Sequence, residues 1–165
     1  MKLLRVGNKG NEKPGILDID GKIRDISSHV NDLNPENLNF ELISKIQKID
    51  LSKLPELSSN ERVGSCITSP GKFVAIGLNY SDHAAEVGAE IPKEPIMFMK
   101  ATSSICGPND DIELVVGSKN LDWEVELGVV IGKEAKHISK AQSQDHILGY
   151  CLVNDVSERE WQIEK

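Results

Sequence analysis

Apolar and polar positions are interleaved over the first 28 residues in three short stretches, "KLLRVG", "KPGILDID" and "KIRDIS", each of strand length. Between the second and third, Asp20-Gly21 supplies the positive-φ chemistry of a tight hairpin. The chain is therefore predicted to open with a small sheet. The period then changes: Leu38, Leu42, Ile46 and Ile49 recur at helical spacing, and Asn34-Pro35 ahead of them reads as an N-cap followed by the first helical position. This helix is expected to cover the sheet. Residues 50–71 mix Ser, Pro, Gly and charge without a sustained period, as a linker does, and a domain boundary is placed near residue 68.

In the second part, residues 69–165, "KFVAIGL" reads as a buried strand and "NYSDHAAEVG" as one or two helical turns closed by Gly88. "EPIMFMK", "DWEVELGVVIG" and "LGYCLVND" are further strands, rich in apolar and β-branched residues. Between the last two, Ser139 and Gln142 stand at capping-box spacing and predict a short helix. The fold class expected is α+β, mostly β, in two units.

Composition narrows the functions. The chain has 165 residues, 39% hydrophobic and 27% charged, enough to bury a core. Its apolar runs fall far short of the ~18 residues a membrane span requires. The opening "MKLLRVGNKGNEK" starts like an export signal, but Arg5 interrupts it after two leucines, so the protein is read as cytoplasmic. A net charge of −7 without a dense Lys/Arg block argues against nucleic acid as a partner. Cys66, Cys106 and Cys151 are odd in number and widely spaced, with no C-x-x-C pair, and read as reduced, mostly buried filler. His29, His137 and His146 read as surface residues.

The candidate chemistry begins in "LDWEVELGVVIG". In a continuous strand Asp122, Glu124 and Glu126 share one face, spaced by about 6.7 Å. At that separation two carboxylates repel by roughly 2 kcal/mol at an effective dielectric near 20. Water on a half-exposed strand offsets this, and so does a hard divalent cation with oxygen ligands. These residues leave both readings open. Asp155, at the end of "YCLVND", is a candidate third ligand; it equally fits a D-x-x-E capping box with Glu158 opening a helix through "SEREWQIEK". In "NYSDHAAEVG", His83 and Glu86 are three apart, a spacing that suits either an ordinary exposed pair or a carboxylate-oriented general base on a short lid.

With these residues assembled, the sequence resembles the fumarylacetoacetate hydrolase family from about Phe73 onward. "GLNYSDHAAEVG", "PIMFMKATSSICGPND", "LDWEVELGVVIGKEAK" and "GYCLVNDVSEREWQ" follow the order and spacing of its catalytic domain. Residues 1–68 resemble, more weakly, the small α/β N-terminal domain of bacterial members of ureidoglycolate lyase or diketo-deoxy-fuconate hydrolase type.

The resemblance implies a rolled mixed β-sandwich, usually in a homodimer. It implies Mg²⁺ or Mn²⁺, with Ca²⁺ a further fit, held by Glu124, Glu126 and Asp155. His83 and Glu86 become a water-activating dyad, and Gln162 and Arg159 substrate contacts. Members run on for roughly another hundred residues, still within one ordinary domain, so the chain reads as C-terminally truncated and its sandwich as incomplete. The activity implied is metal-dependent C–C bond hydrolysis of small 2-oxo or 1,3-dioxo acids, of acylpyruvate or diketo-acid type, through a metal-bound enolate. Decarboxylation, isomerisation or ureidoglycolate lyase-type elimination on the same site are the alternatives, as is an inactive metal-binding fragment.

Overall fold

The computed structural model describes residues 1–164. Strands β1 (Lys2–Val6), β2 (Lys13–Leu17), β3 (Ile23–Asp25) and β4 (Glu56–Leu57) form one antiparallel sheet in that order. The β2–β3 turn is the hairpin expected at Asp20-Gly21: Gly21 has φ 78°, and Asp18 N–H donates to Lys22 O at 2.9 Å. Strand β4 lies inside the stretch read as linker, which is corrected accordingly. Two residues are too few to show a period, and their pairing with β3 is what makes them a strand.

Helix α1 (Phe40–Ile46) covers this sheet, with Leu42 and Ile46 packed on Ile16, Ile26, Val30 and Leu33. Its start differs from the expectation. Asn34 caps only a single turn, accepting from Asn37 N–H at 3.0 Å, and the helix begins at Asn39, whose Oδ1 accepts from Leu42 N–H at 2.9 Å. Leu33 is fully buried. Leu33→Ala is expected to cost about 2–5 kcal/mol, the usual range for a core leucine whose cavity only partly collapses; a urea midpoint unchanged at constant slope would contradict this.

Beyond residue 57 the packing changes. Strands β5 (Val74–Gly77) and β6 (Ile96–Met99) pair with each other, flanking helix α2 (Ser81–Glu86) in sequence. Strand β7 (Leu121–Asp122) is separate from β8 (Val125–Ile131), which pairs with β9 (Ile147–Asn154), while β7 pairs with β10 (Ser157–Glu158). All these ladders are antiparallel. The Ser139–Gln142 capping box forms as expected, on a 3-10 turn over Lys140–His146.

Among the described residues, Ala84 is the sole buried apolar side chain past Leu57. The segment 74–77, read as buried, exposes Val74 and Ile76, and β6 is exposed along its length. On β8 and β9, Val125, Leu127, Val129, Ile131, Tyr150 and Leu152 all face outward, Leu152 being 85% exposed. His146, expected at the surface, is buried, with Nδ1 3.3 Å from Lys133 O. Cys106, expected as buried filler, is exposed. No helix among the described residues is long and apolar enough to cross a membrane.

An ion-pair network ties the first sheet to later chain. Arg5 donates to Asp32 through Nε at 2.6 Å and Nη2 at 2.9 Å, and through Nη2 to Glu12 at 3.2 Å. Glu12 also accepts from Arg62 Nη1 at 2.7 Å, and Arg62 grips both Asp110 oxygens at 2.6 Å. The Arg62 guanidinium hydrogen bonds hold the Asp110 carboxyl down at about 2, from an ordinary 3.8. A carboxyl depressed in the folded state contributes stability above its unfolded pKa and loses it as pH falls through the folded one. The stability difference between the protein and its Asp110→Asn variant should therefore be constant above pH ~4 and vanish progressively towards pH ~2. A pH-independent difference over that window in acid unfolding titrations would refute the coupling.

Candidate metal and substrate site

The acidic stretch does not fold as one strand. The ladder breaks at Trp123-Glu124, where Glu124 N–H donates to Asn154 Oδ1 at 3.0 Å and Asp155 N–H donates to Glu124 O at 2.9 Å. The expectation that Asp122, Glu124 and Glu126 project alike from a continuous strand is corrected in this respect. The polarity of β8 is also the reverse of a solvated strand: Glu126 is half-buried while its neighbours Val125 and Leu127 are exposed. Glu124 and Glu126 point into the structure, whereas Trp123, Val125 and Leu127 point out of it and Asp122 is exposed.

Inside, the carboxylates meet. Burial pushes the Glu126 carboxyl above its ordinary value; Glu124 and Asp155 push it the same way, opposed by a hydrogen bond from Tyr80 and by nearby His83. These influences weaken steeply with distance, so Glu124, Glu126 and Asp155 share one locality with Tyr80 and His83 beside them. Tyr80 Oη also accepts from Leu127 N–H at 3.1 Å.

Two cations reach in among the acids. Arg159 donates to Asp122 through Nε at 3.0 Å and Nη2 at 2.8 Å, and its Nη1 lies 2.5 Å from Glu124 and donates to Gln162 at 2.9 Å. The Arg159 hydrogen bonds hold the Asp122 carboxyl below its usual range. Lys100, at the end of β6, places its ammonium against Asp155 Oδ1, and its Nζ is 3.4 Å from Val156 O. Asp155 does not cap a helix, as one reading of D-x-x-E had it. Its partner in that box, Glu158, instead accepts from Ser118 Oγ and from Asn120 N–H, the latter at 3.1 Å, and holds β10 beside β7. Of the helix expected through "SEREWQIEK", whose Lys165 lies outside the described residues, the structure forms a π-turn over Glu160–Glu164, which carries Gln162.

His83 and Glu86 lie on α2, with Nδ1 3.8 Å from Oε2, and both are exposed. The helix closes at Gly88, φ 68°, as its sequence suggested. Tyr80 and Lys100 are site residues that the sequence reading missed. Their signals were present, since Tyr80 directly precedes the His83 segment and Lys100 ends the "PIMFMK" run, but nothing local shows that either one points at an acid.

Among the described residues no three Asp, Glu, His or Cys side chains stand ready in cation-ligating geometry. The donor chemistry nevertheless suits a hard divalent ion. Asp122, Glu124, Glu126 and Asp155 face Arg159 and Lys100, so four carboxylates meet two cations and two negative charges remain unbalanced. Asp155 Oδ1 is buried against the Lys100 ammonium, so a metal ion there would take the place of that lysine.

Comparison with known proteins places the chain. Residues 72–165 match the family model for the fumarylacetoacetate (FAA) hydrolase C-terminal region. A Burkholderia ambifaria protein named only as a hydrolase is 57% identical over the whole chain, which spans 58% of that relative's length. The fumarylacetoacetate hydrolase of psychrophilic Exiguobacterium antarcticum is similar in structure at a TM-score of 0.78 and 29% identity, over 99% of this chain and 58% of that one. A Mycobacterium abscessus protein assigned as a 2-hydroxyhepta-2,4-diene-1,7-dioate isomerase gives a TM-score of 0.73 at 31% identity, over 97% of this chain and 54% of that one. The carboxylate-lined locality thus lies within the matched region, and the chain belongs to the fumarylacetoacetate hydrolase family.

Proposed function

We propose that the protein is a divalent-metal-dependent hydrolase or isomerase of small 2-oxo or 1,3-dioxo acids. In this reading Glu124, Glu126 and Asp155 hold Mg²⁺ or Mn²⁺, His83 with Glu86 handles the proton, and Arg159 and Gln162 receive the substrate. The observation that carries it is the unbalanced charge: four acids, Asp122, Glu124, Glu126 and Asp155, against two cations, Arg159 and Lys100. Ligation by all three acids requires Arg159 and Lys100 to withdraw from Glu124 and Asp155. When bound, the ion supplies Lewis acidity at a chelated oxo-acid.

The chain's own groups then have definite tasks. Arg159, released from Glu124, offers a planar donor fork matched to a substrate carboxylate, and Gln162, already its hydrogen-bond partner, sits beside it. Neutral His83 takes a proton from water, and Glu86 steadies the imidazolium that results. Tyr80, donating to Glu126, keeps that carboxylate directed inward.

Calorimetric titration of the full-length protein with Mn²⁺ tests the reading: heat at one site is expected, and no heat removes it. His83→Ala should retain that heat while lowering acylpyruvate hydrolysis by about 10²- to 10⁴-fold, the usual weight of a general base. Unchanged hydrolysis would move the base elsewhere. The likeness to the Mycobacterium abscessus isomerase favours a second outcome on the same residues, proton relocation without water attack, seen as a shifted double bond with no cleavage. A cytoplasmic homodimer is the accompanying expectation.

A further inference from the structure

Helix α2, which carries His83 and Glu86, has six residues and is too short to be stable alone, so its position depends on what anchors it. Ala84 is its one buried side chain. A second anchor comes from the N-cap residue. Tyr80 is extended, at φ −112° and ψ 127°, and its carbonyl accepts the first helical bond from Ala84 N–H at 3.1 Å. Its side chain caps nothing in the helix. The hydroxyl instead accepts from Leu127 N–H at 3.1 Å, 47 positions further along the chain.

That contact falls beside the acids. The peptide group concerned joins Glu126 to Leu127, next to the inward carboxylate. Strand β8 has β9 along one edge and, among the described residues, no strand along the other, so the tyrosine serves a strand that is open to such a contact. The chain is also constrained on its way into α2. The turn from β5 passes through Leu78 at φ 48°, the left-handed region that a leucine enters only where its surroundings impose it, and only Asn79 separates this point from Tyr80.

We propose that Tyr80 is a positioning residue: its hydroxyl latches α2 to strand β8 beside Glu126 and so sets where His83 stands relative to the acids. This rests on the reading of Glu126 as an ion ligand and His83 as the base, and adds a physical link between the two. A phenol suits the task. Its ring is stiff, and its hydroxyl accepts from the Leu127 N–H while keeping its own proton to donate. A short helix held at Ala84 alone is free to pivot, and a displacement of about 1 Å at a reacting group costs on the order of 10²-fold in rate.

The test is Tyr80→Phe in the full-length protein, which keeps the ring and removes the hydroxyl. Amide hydrogen exchange, measured without metal or substrate, should be about 2- to 10-fold faster at Leu127 and along α2, the weight of one hydrogen bond, and unchanged in the first sheet layer. Acylpyruvate turnover is then read at saturating Mn²⁺ and substrate, so that a weaker hold on the ion does not enter. There kcat is expected to fall by about 10- to 100-fold. In the His83→Ala background the same substitution should change the rate by less than about 2-fold, because a residue acting through His83 has nothing left to position. Unchanged exchange along α2 removes the latch, and an undiminished loss in the double variant removes the action through His83. The underlying reading fails differently: no heat with Mn²⁺, or no acylpyruvate cleaved by the unsubstituted protein, ends the metal-hydrolase assignment, while the exchange measurement still decides the latch.

Discussion

Asp155→Ala in the full-length protein is expected to weaken Mn²⁺ binding by well over the ~10- to 100-fold that outer-shell partners cost, and to bring oxo-acid turnover to background. The carboxylate is only 10% exposed, and its buried Oδ1 faces the Lys100 ammonium. Removing it deletes one of the four acids while leaving the Lys100 ammonium in place, so the locality loses half of its excess negative charge as well as a ligand atom. Asp155→Asn separates these causes, because it keeps the shape and removes only the charge. Asp122→Asn is the control. Its carboxylate is already engaged by Arg159 through two nitrogens and has no ligand role in this reading, so Mn²⁺ affinity should change only a few-fold. Equal losses in Asp122→Asn and Asp155→Asn would mean that the acids act only through their summed field. Retention of full affinity in Asp155→Ala would end the three-carboxylate reading.

Arg5→Ala is expected to destabilise the first sheet layer by about 3–5 kcal/mol, the cost of leaving a buried charge without its counter-ion. Arg5 and Glu12 are both almost fully buried, and Asp32 depends on the same guanidinium through two hydrogen bonds. Arg5→Met tests the origin of the loss, since it restores apolar volume and leaves Glu12 paired with Arg62. It should recover part of the stability, whereas Asp32→Asn in the Arg5→Met background should recover more by removing the negative charge that Arg5 had paired. Urea unfolding at neutral pH measures all three variants. A loss under ~1 kcal/mol in Arg5→Ala would place the network among ordinary surface pairs.

The features legible in the sequence were those encoded over a few residues. The Asp20-Gly21 turn, the Ser139/Gln142 cap, the Gly88 stop and the Leu42/Ile46 stripe all formed, because a turn conformation, a cap or one face of a helix is set by residues within about four positions. The acids and their motif partners could be named from the sequence in the same way. The helix start was misjudged at Asn34, since Asn39 offers equivalent cap chemistry five residues later and the packing of Leu42 chose between them.

The amino-acid order by itself determined the turns, the caps, the amphipathic stripe and the identity of the candidate acids, since each depends on neighbours along the chain. Tertiary structure alone decided that the acidic strand breaks at Trp123-Glu124 and turns Glu126 inward, and that Lys100 meets Asp155 and Tyr80 meets Glu126. Arg62 reaches Asp110 across 48 positions, Tyr80 reaches Leu127 across 47 and Lys100 reaches Val156 across 56. No local period carries such pairings. They exist only once separate segments have been brought together and each buried charge has found its nearest opposite.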